Sequence, residues 1–128
     1  MHINLESDYA IRIVSCLSKR SERMDAKSIS LSCGVTLRFT LKILSKLIKN
    51  GIVKSYKGSK GGYMLAKKPC DITLYEVIET LEGPYVLSRC LLDPCSCERQ
   101  SDNCYFYHVF DDISGMVIEK LKTVTFEI

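Results

Sequence analysis

Apolar residues return at helical spacing through residue 50, and the pattern then switches to that of two short strands. Ala10, Ile13, Val14 and Leu17 fall at i, i+3, i+4 and i+7, which predicts an amphipathic helix over residues 5–20. Asp25 stands where it can cap a short second helix ending near Cys33 and Gly34. Thr36 can cap a third, which runs to about Asn50 with Leu37, Leu44, Leu47 and Ile48 as an apolar stripe and Arg38, Lys42, Lys46 and Lys49 on its other side. Asn50-Gly51 ends it. Two short helices joined by a glycine-bearing turn form a helix-turn-helix pattern, whose second helix enters the DNA major groove.

Beyond Gly51 the chain reads strand, turn, strand: Ile52 to Tyr56, then Gly58-Ser59-Lys60-Gly61-Gly62, then Tyr63 to Ala66. This is a wing. Its glycine-rich, lysine-bearing tip lets backbone approach a phosphate or a minor groove closely, and it lacks the spacing of a nucleotide-binding P-loop. Thr73-x-x-Glu76 predicts a capping box for a helix with Leu74, Val77, Ile78 and Leu81, stopped by Gly83-Pro84. A last helix, from about Cys104 to Thr123, places Val109, Ile113, Met116, Val117 and Leu121 on one face, which needs a covering surface. The same helix of a second subunit is the expected cover, since helix-turn-helix repressors bind as two-fold dimers. The fold class predicted is mainly α with a small β wing: a winged helix-turn-helix plus a long C-terminal dimerisation helix.

With 128 residues, 46% of them hydrophobic, the chain suits a single domain over 1–128. Its parts are the winged helix-turn-helix at 1–82, a cysteine cluster loop at 83–104 and the dimerisation helix at 105–123. Glu6 and Asp8 interrupt the N-terminal region where a signal peptide needs an apolar run, and no later run approaches a membrane span, so a cytoplasmic protein is expected. Charge sharpens this picture. Residues 26–70 hold ten Lys or Arg and no Asp or Glu, whereas residues 71–128 hold four basic and eleven acidic side chains. An acid-free cationic stretch around a helix-turn-helix points to double-stranded DNA. Thr36, Arg38, Phe39 and Thr40 begin the recognition helix, where side chains reach base edges, while Lys42, Lys57, Ser59 and Lys60 are placed for the backbone and its phosphates.

Seven cysteines, an odd number, argue against a disulfide framework in a reducing compartment. Four of them form Cys90-x4-Cys95-x-Cys97-x6-Cys104. Thiolates crowded in this way resemble ligands for a soft metal or a cluster rather than packing residues. An all-thiolate zinc site or reversible disulfides are the alternative, although Cys95-x-Cys97 is tighter than the usual zinc knuckle. Cys16 reads as a core residue and Cys70 as incidental. No Ser, Cys and His arrangement suggests nucleophilic catalysis, so the chain does not read as an enzyme.

These segments together resemble the IscR/NsrR (Rrf-two) family of winged-helix regulators: SDYAIRIV in the first helix, SCGVTLRFTLKILSKLIKNGIV through the recognition helix, YKGSKGGYMLAK in the wing, ITLYEVIETLEG, and then the cysteines. The resemblance implies a dimeric transcription regulator on a palindromic operator, most often a repressor, which senses nitric oxide, redox state or iron-sulfur supply through a 4Fe-4S or 2Fe-2S cluster. It implies three cysteine ligands at nearly even spacing, which Cys90, Cys97 and Cys104 match best, with Cys95 as an alternate. It further implies Asp8 as a fourth ligand reaching across the dimer, with His108 and Cys33 as alternates. The wing departs from the family pattern of Gly-Pro-Gly-Gly-Gly.

Overall fold

The computed structural model describes residues 2–87, 91 and 104–128. Each of the first three helices starts on a side chain that accepts a bond from an otherwise unpaired backbone N–H. Helix α1 (Leu5–Ser18) is capped by Asn4, which accepts from the Ser7 amide at 2.8 Å. Helix α2 (Ala26–Cys33) is capped by Asp25, which accepts from the Ser28 amide at 2.7 Å, and it ends at Gly34 in the left-handed region at φ 66°. Helix α3 (Leu37–Lys49) begins at Thr36, whose hydroxyl accepts from the Phe39 amide at 3.3 Å. The first helix stops two residues short of the expected end.

Helix α1 lies at the centre and packs on α2, α3 and α4 (Leu74–Glu82). Ala10, Ile13, Val14 and Leu17 are buried as the periodicity predicts, and they meet Ile29, Ile43, Leu44, Leu47, Ile52 and Val77. The α3 stripe is displaced from the expected one. Thr40, Ile43, Leu44 and Leu47, again at i, i+3, i+4 and i+7, face the core, while Leu37 is exposed because burial begins one turn later. Each fully buried Ile or Leu contributes about 1.5–3 kcal/mol relative to an exposed one.

The wing pairs β1 (Val53–Tyr56) antiparallel to β2 (Gly62–Leu65), with Val53 opposite Leu65 and Tyr56 opposite Gly62. A third segment completes it. The Met24 amide donates to the Tyr63 carbonyl at 3.0 Å and the Tyr63 amide donates back to the Met24 carbonyl at 2.7 Å, which ties the wing to the residues entering α2. That approach requires Gly62, at φ 143°, since a Cβ there would stand 2.8 Å from the Met24 carbonyl oxygen.

Thr73 caps α4 by accepting from the Glu76 amide at 3.1 Å. The predicted capping box is only half formed, because the Glu76 carboxylate pairs with Lys67 instead of returning to the Thr73 amide. Helix α5 (Tyr105–Thr123) packs on α4, and the chain then folds back. The Val124 carbonyl accepts from Leu74, Thr125 pairs with Thr73, and the Phe126 amide donates to the carbonyls of Pro69 and Ile72. The Phe126 ring is buried in the core. Most of α5 is not covered: Ser114 is its one buried residue, while Tyr105, Phe106, Ile113 and Met116 are exposed, Met116 at 68%.

Candidate nucleic-acid interface and metal-ligand region

The start of α3 and the wing present the cationic surface that the charge pattern anticipates. Arg38 is exposed in the first turn of α3. Thr36 is exposed too, although its hydroxyl is engaged in capping. Phe39 leans on Tyr9 of α1, ring centroids 5.9 Å apart, so part of its ring is committed to packing. Thr40, expected beside them at the DNA, is fully buried on the core face and cannot reach a base. Its hydroxyl has no hydrogen-bond partner among the described residues.

Lys57, Ser59 and Lys60 are exposed at the wing tip. Arg23 braces this tip: its guanidinium lies 3.5 Å from the centroid of the Tyr56 ring and donates to the Lys60 carbonyl at 3.2 Å. Sequence reading passed over Arg23, which lies just outside the acid-free stretch. Its signal was the basic residue next to Met24 in the turn before α2.

Glu6 was also missed as a neighbour of the cationic face. Its carboxylate accepts from Lys42 at 2.6 Å and from Lys46 at 3.0 Å, bridging α1 to α3. The hydrogen bonds from Lys42 and then Lys46 hold the Glu6 carboxyl below the usual carboxylate range. The clamp is therefore complete near neutral pH and opens only as pH falls through that lowered value. Glu6→Gln frees both lysines for phosphate and removes a repelling charge. It should tighten binding to DNA of any sequence up to about fivefold, the scale of an exposed ion pair, and fluorescence anisotropy on a random duplex checks this. Unchanged or weaker binding would place Lys42 away from the DNA.

Of the expected ligands, Cys90, Cys95 and Cys97 lie outside the described residues. Cys104 is a half-buried free thiol at the N-cap of α5, and it makes no capping hydrogen bond. His108 sits one turn further along, exposed, with its ring edge-on to Tyr107. Asp8, in the first turn of α1 and 46% exposed, pairs with Arg12 at 2.8 Å. Cys33 donates to the Arg12 carbonyl at 3.6 Å, against α1. No group of three or more His, Cys, Asp or Glu converges among the described residues. Next to Asp8, buried Ser7 donates to the Glu82 carboxylate at 2.6 Å, which fastens α1 to the end of α4 just before the cysteine-bearing segment.

No described helix is long and apolar enough to cross a membrane. Comparison with known proteins agrees with the geometry. The model of the family Rrf2, described as an iron-dependent transcriptional regulator, matches residues 3–128. An HTH-type transcriptional regulator of Aquifex aeolicus is 30% identical over 119 residues, which span 91% of this chain and 83% of that protein. The regulator IscR of Escherichia coli is 28% identical over 127 residues, 98% of this chain and 77% of its own. Among solved structures, CymR, the global cysteine regulator of B. subtilis, superimposes with a TM-score of 0.78 at 28% identity, covering 99% of this chain and 94% of that one.

Proposed function

The chain belongs to the Rrf2 family of transcriptional regulators, and from that premise we propose that it acts as a homodimer on a palindromic operator and senses nitric oxide, redox state or iron-sulfur supply through a bound cluster. It is a DNA-binding winged-helix regulator. The proposed ligands are Cys90, Cys97, Cys104 and Asp8, the last from the partner subunit. The supporting observation is the position of Cys104: a half-buried thiol at the helix N-cap, unused in capping, where the cysteine-bearing segment meets α5. A thiolate-rich donor set fits an iron-sulfur group, and the Asp8 carboxylate, now paired with Arg12, would help hold it. When bound, a cubane held by three cysteines supplies one iron open to an oxygen, nitrogen or solvent donor. The exposed apolar residues of α5 support pairing with the same helix of a second copy.

Anaerobic purification followed by iron, sulfide and zinc analysis tests the cluster. A broad charge-transfer absorption with iron and acid-labile sulfide in comparable amounts is expected; stoichiometric zinc without sulfide would overturn the reading.

On the DNA side, Arg38 is assigned to a base edge and Thr36 and Phe39 to its surroundings, with Lys42, Lys57, Ser59 and Lys60 at the backbone. Arg38→Ala should cost about 1–3 kcal/mol at the operator and relax base preference. Lys60→Ala should weaken all sequences alike and flatten the salt dependence by about one unit. Titrations of operator and random DNA at several salt concentrations separate the two. An equal loss on both DNAs for Arg38→Ala would reassign it to phosphate.

A further inference from the structure

Cys16, Met24 and Cys33 lie where α1 packs on α2 and the turn that enters it. Cys16 Sγ lies 3.8 Å from Met24 Sδ. Cys33 Sγ lies 3.6 Å from the carbonyl oxygen of Arg12, one helical turn before Cys16. Side chains of a helix lean back over the preceding turn, which brings the Cys16 thiol over the turn that Cys33 touches. Both thiols are half-buried against the core. Burial, and then the neighbouring Cys16 thiol, push Cys33 up to about 11.

A single buried cysteine is adequately explained as a small apolar residue. The Cys16 thiol has the Met24 thioether on one side and the Cys33 thiol as its neighbour, which makes a soft donor set, and soft sulfur donors select soft cations with a filled d shell. We propose that Cys16, Cys33 and Met24 form a second metal site, which takes monovalent copper with the two cysteines as thiolates and Met24 as the weaker third donor. Binding replaces two S–H bonds with two Cu–S bonds, releases both protons to solvent and moves no electrons. The alternative fate of such a pair, closure to a disulfide, requires a thiolate nucleophile. That closure also needs a two-electron oxidant, whereas a soft cation has only to displace the thiol protons. Because Met24 is hydrogen-bonded to Tyr63 of β2, the cation joins α1, the start of α2 and the wing.

A full-length variant with serine at Cys70, Cys90, Cys95, Cys97 and Cys104 isolates this site from the proposed cluster, so the outcome does not depend on the cluster reading. Cu(I) is added anaerobically in competition with bathocuproine disulfonate, and proton release is followed in weak buffer. One equivalent should be retained per chain with two protons released. Relative to this parent, Cys16→Ser and Cys33→Ser should each lose more than about 100-fold in affinity and Met24→Leu about 10-fold, the range over which metal-site residues act. Met24→Leu nearly conserves volume and keeps the test independent of folding. Copper should raise the melting temperature of the parent variant and leave that of Cys33→Ser unchanged. Failure to retain copper, undiminished affinity in a folded Cys33→Ser protein, or a pair that ignores copper and closes to a disulfide under peroxide would overturn the assignment.

Discussion

Phe126→Ala should cost roughly 3–5 kcal/mol of folding stability, the usual range for emptying a buried phenylalanine site. The ring is 5% exposed and belongs to the same core as Ile13, Leu44 and Val77. The loss reaches beyond the cavity, because the Phe126 amide donates to Pro69 at 3.1 Å and to Ile72 at 3.2 Å, and Leu74 donates to Val124 at 2.8 Å. These bonds fix the end of α5 to the base of α4. Urea unfolding measures the change, and amide exchange along α5 should accelerate more than exchange in α3. A loss below about 1 kcal/mol would mean that the tail contributes little to the core.

Cys104→Ser and Cys97→Ser should each abolish the proposed cluster, and with it weaken operator binding by about 5–150-fold, the usual span of coupling between two sites. Cys95→Ser should keep both. The path for this coupling runs through contacts of α1: Asp8 adjoins Ser7, Ser7 donates to Glu82 at 2.6 Å, and Glu6 bridges to Lys42 and Lys46 of the recognition helix. A change at Asp8 is therefore one residue from the α4 attachment of α1 and two from its α3 attachment. Linkage requires that operator DNA strengthen cluster retention by the same factor. One operator titrated with holo and apo protein at fixed salt decides the matter. Equal affinities would make the group structural, stronger apo binding would reverse the switch, and a cluster lost from Cys95→Ser but kept by Cys97→Ser would exchange their roles.

Helices α2, α3 and α4 were legible in the sequence because each carries a local signal: a capping side chain at Asp25, Thr36 and Thr73, and glycine at Gly34, Gly51 and Gly83 where the helix ends. Interactions between distant segments carry no such signal. The inward turn of Thr40 follows from how α3 rolls on α1, and the diversion of Glu76 to Lys67 follows from where the chain leaves the wing. The same holds for Glu6 against α3, and for Cys16 and Cys33, which are seventeen positions apart in a sequence that offers seven cysteines. Spacing could group Cys90, Cys95, Cys97 and Cys104; only packing brings Cys16 to Met24.

The wing can be divided into positions open to redesign and positions closed to it. At Gly61 a Cβ would meet the Tyr56 carbonyl oxygen at 2.5 Å and that of Gly58 at 2.8 Å, and at Gly62 it would collide with the Met24 backbone. Evolution or an engineer seeking a new operator can therefore rewrite Lys57, Ser59 and Lys60, all exposed, while keeping the glycine pair. The departure of this wing from its family pattern falls at Ser59 and Lys60, within the editable part. A library randomised at those three positions should yield folded regulators of altered preference, whereas one randomised at Gly61 and Gly62 should return mostly molecules whose wing has come loose from the helices.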